Sequence, residues 1–105
     1  MDHLTAMYKI MKIINESMDY EEFDENCISP ETIGISRTRW VSIMEDLIDN
    51  GFVKGISIAN SLGGKAVVCR KPALTYLGVD YLENNTTMKK IQRTMKGIKE
   101  SIPGL

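Results

Sequence analysis

The 105-residue sequence contains one histidine, one tryptophan, two cysteines and three prolines, and these scarcities close off whole classes of chemistry. A structural zinc ion takes three or four Cys, His or carboxylate ligands at close spacing. His3 is the lone imidazole, and Cys27 and Cys69 lie far apart with no C-x-x-C pair, so neither a metal site nor a cofactor is expected. Two thiols behind an opening Met1-Asp2-His3 that does not resemble a secretory leader suit reduced side chains in a cytoplasmic setting. Both are expected to be small, buried or half-buried fillers, Cys69 within the apolar run Ala66-Val67-Val68-Cys69. No apolar run approaches the roughly 20 residues that cross a bilayer, which argues against a membrane partner. Neither sign of charge dominates: 13 Lys and Arg face 14 Asp and Glu, for a formal net charge of −1. That argues against binding by bulk charge, as in a polybasic protein.

Catalysis also lacks its usual actors. His3 lies near the terminus and is read as a tag-like surface residue rather than a general base. The acid pairs Asp46 with Asp49 and Glu21 with Glu22 read as exposed charge. Gly63-Gly64-Lys65 lacks the G-x-x-x-x-G-K-[ST] spacing of a phosphate loop and no helix follows it. The chain is therefore not expected to be an enzyme.

What is present is an ordinary globular composition, 43% hydrophobic and 26% charged, at a length that suits one domain over residues 1–105. The charge is unevenly placed: residues 1–50 carry 4 Lys and Arg against 11 Asp and Glu, and residues 51–105 carry 9 against 3. Leu4, Met7, Met11, Ile14 and Met18 recur at spacings of three and four, with Tyr8, Ile10 and Ile13 widening the stripe, which predicts a core-facing helix. Six acids between Glu16 and Glu25 then favour a solvated connection. Ser29-Pro30-Glu31 has the cap, the first-turn proline and the acid of a helix start, and Gly34 stops that helix within a turn. Ser36 offers a second cap to a longer helix carrying Trp40, Met44, Leu47 and Ile48, which Asn50-Gly51 ends. After Gly51 the period falls to two. Two strands flank Gly63-Gly64 as a hairpin, with Pro72 expected to end the second because it cannot donate to the ladder. Thr75 caps a further helix to about Asn84, with Leu74, Leu77, Tyr81 and Leu82 facing inward and Tyr76 half-buried. A last helix, about 86–102, spaces Met88, Ile91, Met95, Ile98 and Ile102 along one face.

Two helices around a one-glycine turn, then a hairpin and more helix, give the expected fold class: mainly α with a β-hairpin, a winged helix-turn-helix whose wing covers about 52–71, with an extra C-terminal helix. Ser29-Pro30-Glu31-Thr32-Ile33-Gly34-Ile35-Ser36, Trp40 to Leu47, Gly51 to Ile56, Leu74 to Asn85 and the ending Ile98-Lys99-Glu100-Ser101-Ile102-Pro103-Gly104 carry a resemblance to the YjcQ family, small winged-helix proteins of Firmicutes and their prophages. The resemblance implies that fold and a bacterial or phage source. It brings no established activity and no catalytic residues.

The functional expectation rests on the longer helix. In a helix-turn-helix the second helix enters the major groove of double-stranded DNA with its N-terminal residues at the base edges. Here those are Ser36, Arg37, Thr38 and Arg39, with Val41 and Ser42 a turn further on. Arginine forks onto guanine, while Ser and Thr bond bases or phosphates. Lys65 at the wing tip adds a cation, and Lys89, Lys90, Arg93, Lys96 and Lys99 on the last helix offer phosphate contacts. Against this stand Glu45, Asp46 and Asp49 on the same helix and a pI near 5.8, and solvated surface arginines are the plainer reading. The alternative function is a protein-interaction or assembly module. Its motive is a dimer seam of Met88, Ile91, Met95 and Ile98, flanked by cations that complement the acidic stretch of a second copy. The simpler reading of that stripe packs it on the first helix, against Met7, Met11 and Ile14. Trp40 is expected to be a core anchor between the short helix and the first helix.

Overall fold

Asp2 starts the first helix by accepting a 2.7 Å bond from the Thr5 backbone N–H, and that bond holds its carboxyl below the usual carboxylate range. In the computed structural model, which describes residues 1–101 and side chains as far as Met95, α1 runs His3–Ser17. Its buried stripe is Ala6, Met7, Tyr8, Ile10, Met11 and Ile14. The ends of the expected stripe fall outside it: Leu4 and Met18 are exposed. Leu4 sits in an uncovered first turn, and Met18 lies past the helix end with its thioether beside the Leu74 N–H at 3.4 Å. The acidic connection is exposed as expected, and closes in a 3-10 turn, Glu25–Ile28, whose inward residue is Ile28. Cys27 in that turn is exposed rather than buried or half-buried, because the turn presents Ile28 to the core instead.

Ser29 caps α2 (Pro30–Ile33), its hydroxyl accepting from the Thr32 N–H. Gly34, at φ 91°, turns the chain out of α2. Ser36 then caps α3 (Arg37–Asp49), accepting from the Arg39 N–H at 3.1 Å. Trp40, Ile43, Met44 and Leu47 form the buried face of α3. The Trp40 indole N–H donates 2.7 Å to the Ile28 carbonyl, so the anchor grips the turn before α2.

Strands β1 (Val53–Ser61) and β2 (Gly64–Leu74) form one antiparallel hairpin. Leu62 and Gly63 make the tip between the paired Ser61 and Gly64, and Gly64 rather than Gly63 takes the positive φ. The second strand does not stop before Pro72. Pairing shifts where Lys54 faces Ala73 and Ile56 faces Cys69, leaving Arg70, Lys71 and Pro72 opposite Gly55 alone. Proline is tolerated at such a bulge because no ladder bond is asked of it there. Gly55 (φ 79°) allows the close approach, since a Cβ would lie 2.8 Å from the Arg70 and Lys71 carbonyl oxygens.

Thr75 caps α4 (Tyr76–Asn84), and Asn85 accepts from the N–H groups of Thr87 and Met88 at the start of α5 (Thr86–Ser101). The inward face of α4 centres on Gly78 and Leu82. That rotation leaves Leu77 50% and Tyr76 90% exposed, against the expectation that Leu77 faces inward and Tyr76 is half-buried. Helix α5 packs on α1 and α4, and Met88 is completely buried. The buried residues of these elements, from Ala6 to Met88, form one hydrophobic cluster.

The tightest joint is between α4 and the start of the hairpin. The Thr75 hydroxyl donates to the Gly51 carbonyl, its N–H donates 3.0 Å to the Phe52 carbonyl, and the Phe52 and Tyr81 rings stack at 4.4 Å. A Cβ on Gly78 would lie 2.0 Å from the Phe52 oxygen. Gly78→Ala is therefore expected to cost more than about 2 kcal/mol in urea denaturation, because backbone must move to admit one methyl. A variant as stable as the parent would contradict this packing.

Candidate nucleic-acid interface

The cap at Ser36 fixes the direction of α3, and burial of Trp40 fixes its rotation. Together they leave Ser36, Arg37, Thr38, Arg39 and Ser42 on the exposed side, while Val41 is half-buried against the core. The hairpin folds back so that its tip meets the same end of α3. An Arg37 guanidinium nitrogen donates 3.1 Å to the Lys65 carbonyl, and its carbon lies 5.6 Å from the Trp40 ring centre. The Lys65 ammonium reaches across to Glu45 at 2.7 Å. Between α3 and the tip lies an open recess of about 410 Å³, lined by Arg37, Thr38, Ser42, Glu45 and Lys65 among others.

Arg39 is held on a second route. Its guanidinium lies 3.1 Å from His3 Nδ1, and His3 Nε2 lies 2.8 Å from an Asp46 carboxylate oxygen. Arginine can only donate, so Nδ1 accepts and the ring's other nitrogen donates to Asp46. His3 is thus the first residue of α1 and a bridge to α3, with its side chain 26% exposed. That corrects the reading of a loose, tag-like histidine.

The face carries charge of both signs. Arg37 and Arg39 sit in its first turn and Lys65 at the hairpin tip; Glu45, Asp46 and Asp49 follow along the helix. Among the described residues, Lys65 is the one cation of the three in direct contact with a carboxylate. Both partners of that pair are well exposed, at 49% and 36%, and such a pair contributes at most about 1 kcal/mol. A phosphate can displace Glu45 at little cost. Among the described residues, neither arginine is buried or bonded directly to an acid.

The remaining candidates are less well gathered. Lys89, Lys90 and Arg93 are exposed on α5, whose packing partners are α1 and α4, and no hydrogen bond or ion pair joins them to α3 or the hairpin among the described residues. The side chains of Lys96, Ile98 and Lys99 lie outside the described residues, as does Ile102. Of the proposed dimer seam, Met88 is fully buried inside its own chain and so is withdrawn from any surface, while Ile91 and Met95 are half-buried against the same core.

Sequence reasoning missed His3, Asp46 and Glu45 as the groups that hold Arg39 and Lys65. Arg39 and His3 are 36 residues apart, His3 and Asp46 43, and Lys65 and Glu45 20, and no periodic signal reaches that far. Among the described residues no three Cys, His, Asp or Glu side chains gather as metal ligands, and no helix is long and apolar enough to cross a membrane.

A mainly helical chain with a two-stranded antiparallel hairpin, presenting a capped, arginine-led helix end beside the hairpin tip, is the class these observations define. Residues 8–101 match the family model described as YjcQ protein, and the chain belongs to the YjcQ family. No curated protein and no solved structure matches it.

The two thiols differ in setting. Burial pushes the Cys69 thiol up, with a smaller push from the negative charge of Glu25, whereas Cys27 is exposed. Less thiolate means slower alkylation. With iodoacetamide at neutral pH, followed by peptide mass spectrometry, Cys27 is expected to react several-fold faster than Cys69; equal rates would contradict the burial of Cys69.

Proposed function

We propose that this chain is a winged helix-turn-helix protein that binds double-stranded DNA, as a small non-catalytic regulator of transcription in a bacterial or prophage setting. In this reading α2 and α3 are the helix-turn-helix and the β1–β2 hairpin is the wing. The N-terminal turn of α3 enters the major groove, with Arg37 and Arg39 toward guanine edges and Ser36, Thr38 and Ser42 toward bases or phosphates. Lys65 leaves Glu45 for a phosphate. The observation that carries the proposal is the outward placement of Arg37 and Arg39, neither bonded directly to a carboxylate among the described residues, at a capped helix end beside the hairpin tip. Family membership over residues 8–101 is consistent with it.

The second reading, an assembly module that uses this fold without DNA, draws support from the exposed apolar side chains Leu62 at the hairpin tip and Tyr76 and Leu77 on α4. Its original motive is weaker, since Met88 is taken up by the chain's own core. DNA binding stands ahead because its residues converge on one surface.

Fluorescence anisotropy with mixed-sequence duplexes at low salt tests the proposal. Binding is expected, weakened about tenfold by Arg37→Ala and by Arg39→Ala. Absence of binding, or binding indifferent to both substitutions, would overturn it in favour of protein contacts. Glu45→Gln carries a separate expectation with the opposite sign. Removing the acid frees Lys65 and relieves phosphate repulsion, so affinity rises a few-fold and the salt dependence steepens by about one phosphate contact. An unchanged salt slope would show that Lys65 does not reach DNA.

A further inference from the structure

A groove along α1 has no part in the interface just described. It is flanked by α2 and α5 and encloses about 580 Å³, the size of a small-molecule site. Ile13, Ile33 and Met95 supply its apolar lining, and Lys9, Lys12, Glu16 and Gln92 its polar groups.

Tyr8 is the member that points to a ligand. The residue is 4% exposed, and its hydroxyl makes no hydrogen bond among the described residues. No fully enclosed side-chain polar atom is left unpaired in the described structure, so the hydroxyl must open on the groove that Tyr8 lines. A buried phenol normally has a partner, and here the groove is where one can sit.

The charges select the kind of partner. Lys9, Lys12, Ile13 and Glu16 recur at three- and four-residue spacing and so share one side of α1. Lys12 is paired with Glu16 at 3.3 Å, whereas Lys9 meets no carboxylate among the described residues. Among the described residues, one uncompensated ammonium and one hydroxyl without a protein partner over an apolar floor fit a single anionic acceptor on an apolar body. A cationic ligand would meet two lysines. Among the described residues, a polyphosphate would find one free cation where it needs several. A hydrocarbon would leave the Tyr8 hydroxyl unpaired.

We infer that the groove between α1, α2 and α5 binds a small organic carboxylic acid with an aromatic or branched apolar body. The carboxylate lies against the Lys9 ammonium and accepts the Tyr8 O–H, and the body covers Ile13, Ile33 and Met95. The occupant ties three helices together and so stabilises the fold by mass action. The site is independent of whether α3 reads DNA.

Amide proton–nitrogen correlation spectra of the full chain, titrated with naphthylacetate, phenylacetate and isocaproate, provide the test, with naphthylacetamide as the uncharged control. At least one acid is expected to give saturable shifts centred on Tyr8, Lys9, Ile13, Ile33 and Gln92, and to raise the melting temperature. The amide should bind at least tenfold more weakly, since it lacks the charge that meets Lys9. Tyr8→Phe keeps the ring and removes only the hydroxyl, and is expected to weaken the acid about tenfold; Lys9→Gln should do the same and remains informative if Tyr8→Phe folds poorly. No saturable shift from any acid up to about 10 mM, a range that includes millimolar affinity, would overturn the assignment. So would an amide that binds as well as its acid, or affinity unchanged by both substitutions.

Discussion

The buried indole of Trp40, with its N–H on the Ile28 carbonyl, is the contact on which the rest of the molecule depends. It joins α3 to the turn that precedes α2, and it sets the rotation of α3 about its own axis. With Trp40, Met44 and Leu47 inside, Arg37, Thr38 and Ser42 have no choice but to face out. Truncating such an indole costs about 3–5 kcal/mol, a large share of the stability a domain of this size possesses. The two serine caps complete the constraint by fixing where each helix begins. Core packing therefore sets which side of α3 faces out, and the bonds of Arg37 to the Lys65 carbonyl and of Arg39 to His3 then hold the exposed side chains in place.

Electrostatics at that interface is balanced rather than committed. Three cations and three acids share the surface, and the bonds among them are exposed and individually weak. A salt bridge such as Lys65–Glu45 orients the hairpin tip in the free protein yet yields readily to a better anion, because water already screens both partners. The Arg39–His3–Asp46 chain acts differently. It ties the start of α1 to the exposed side of α3, so Arg39 is preorganised through the His3 ring rather than by direct contact with Asp46. The proposed DNA contact rests on the placement of the arginines rather than on the net charge, which is formally −1.

Much of the fold was legible in the sequence because it depends on local rules. Ser29, Ser36 and Thr75 each cap the helix expected of them, and Gly34 and Gly51 end helices by taking positive φ, which a side chain would resist. The misreadings have local causes too. Pro72 looked like a strand end because the bulge that excuses it depends on pairing with the other strand, where Gly55 alone stands opposite Arg70, Lys71 and Pro72. Leu77 looked inward because apolar residues surround it in sequence, whereas the close seat of Gly78 on the Phe52 carbonyl rotates α4 away from it. Met88, Ile91 and Met95 formed a stripe that fitted either a partner or the chain's own α1, and periodicity cannot distinguish the two.

Periodicity, caps and glycines determined the helices, the hairpin and the exposed arginine pair, since each of these depends on neighbours within a few residues. Tertiary structure alone decided which charges meet and which stay free. Glu45 finds Lys65, His3 joins Arg39 to Asp46, and Tyr8 brings its hydroxyl to the edge of a groove that needs α2 and α5 to exist. These relations span 20 or more residues, and the pattern of a single helix or strand records only what lies on its own surface.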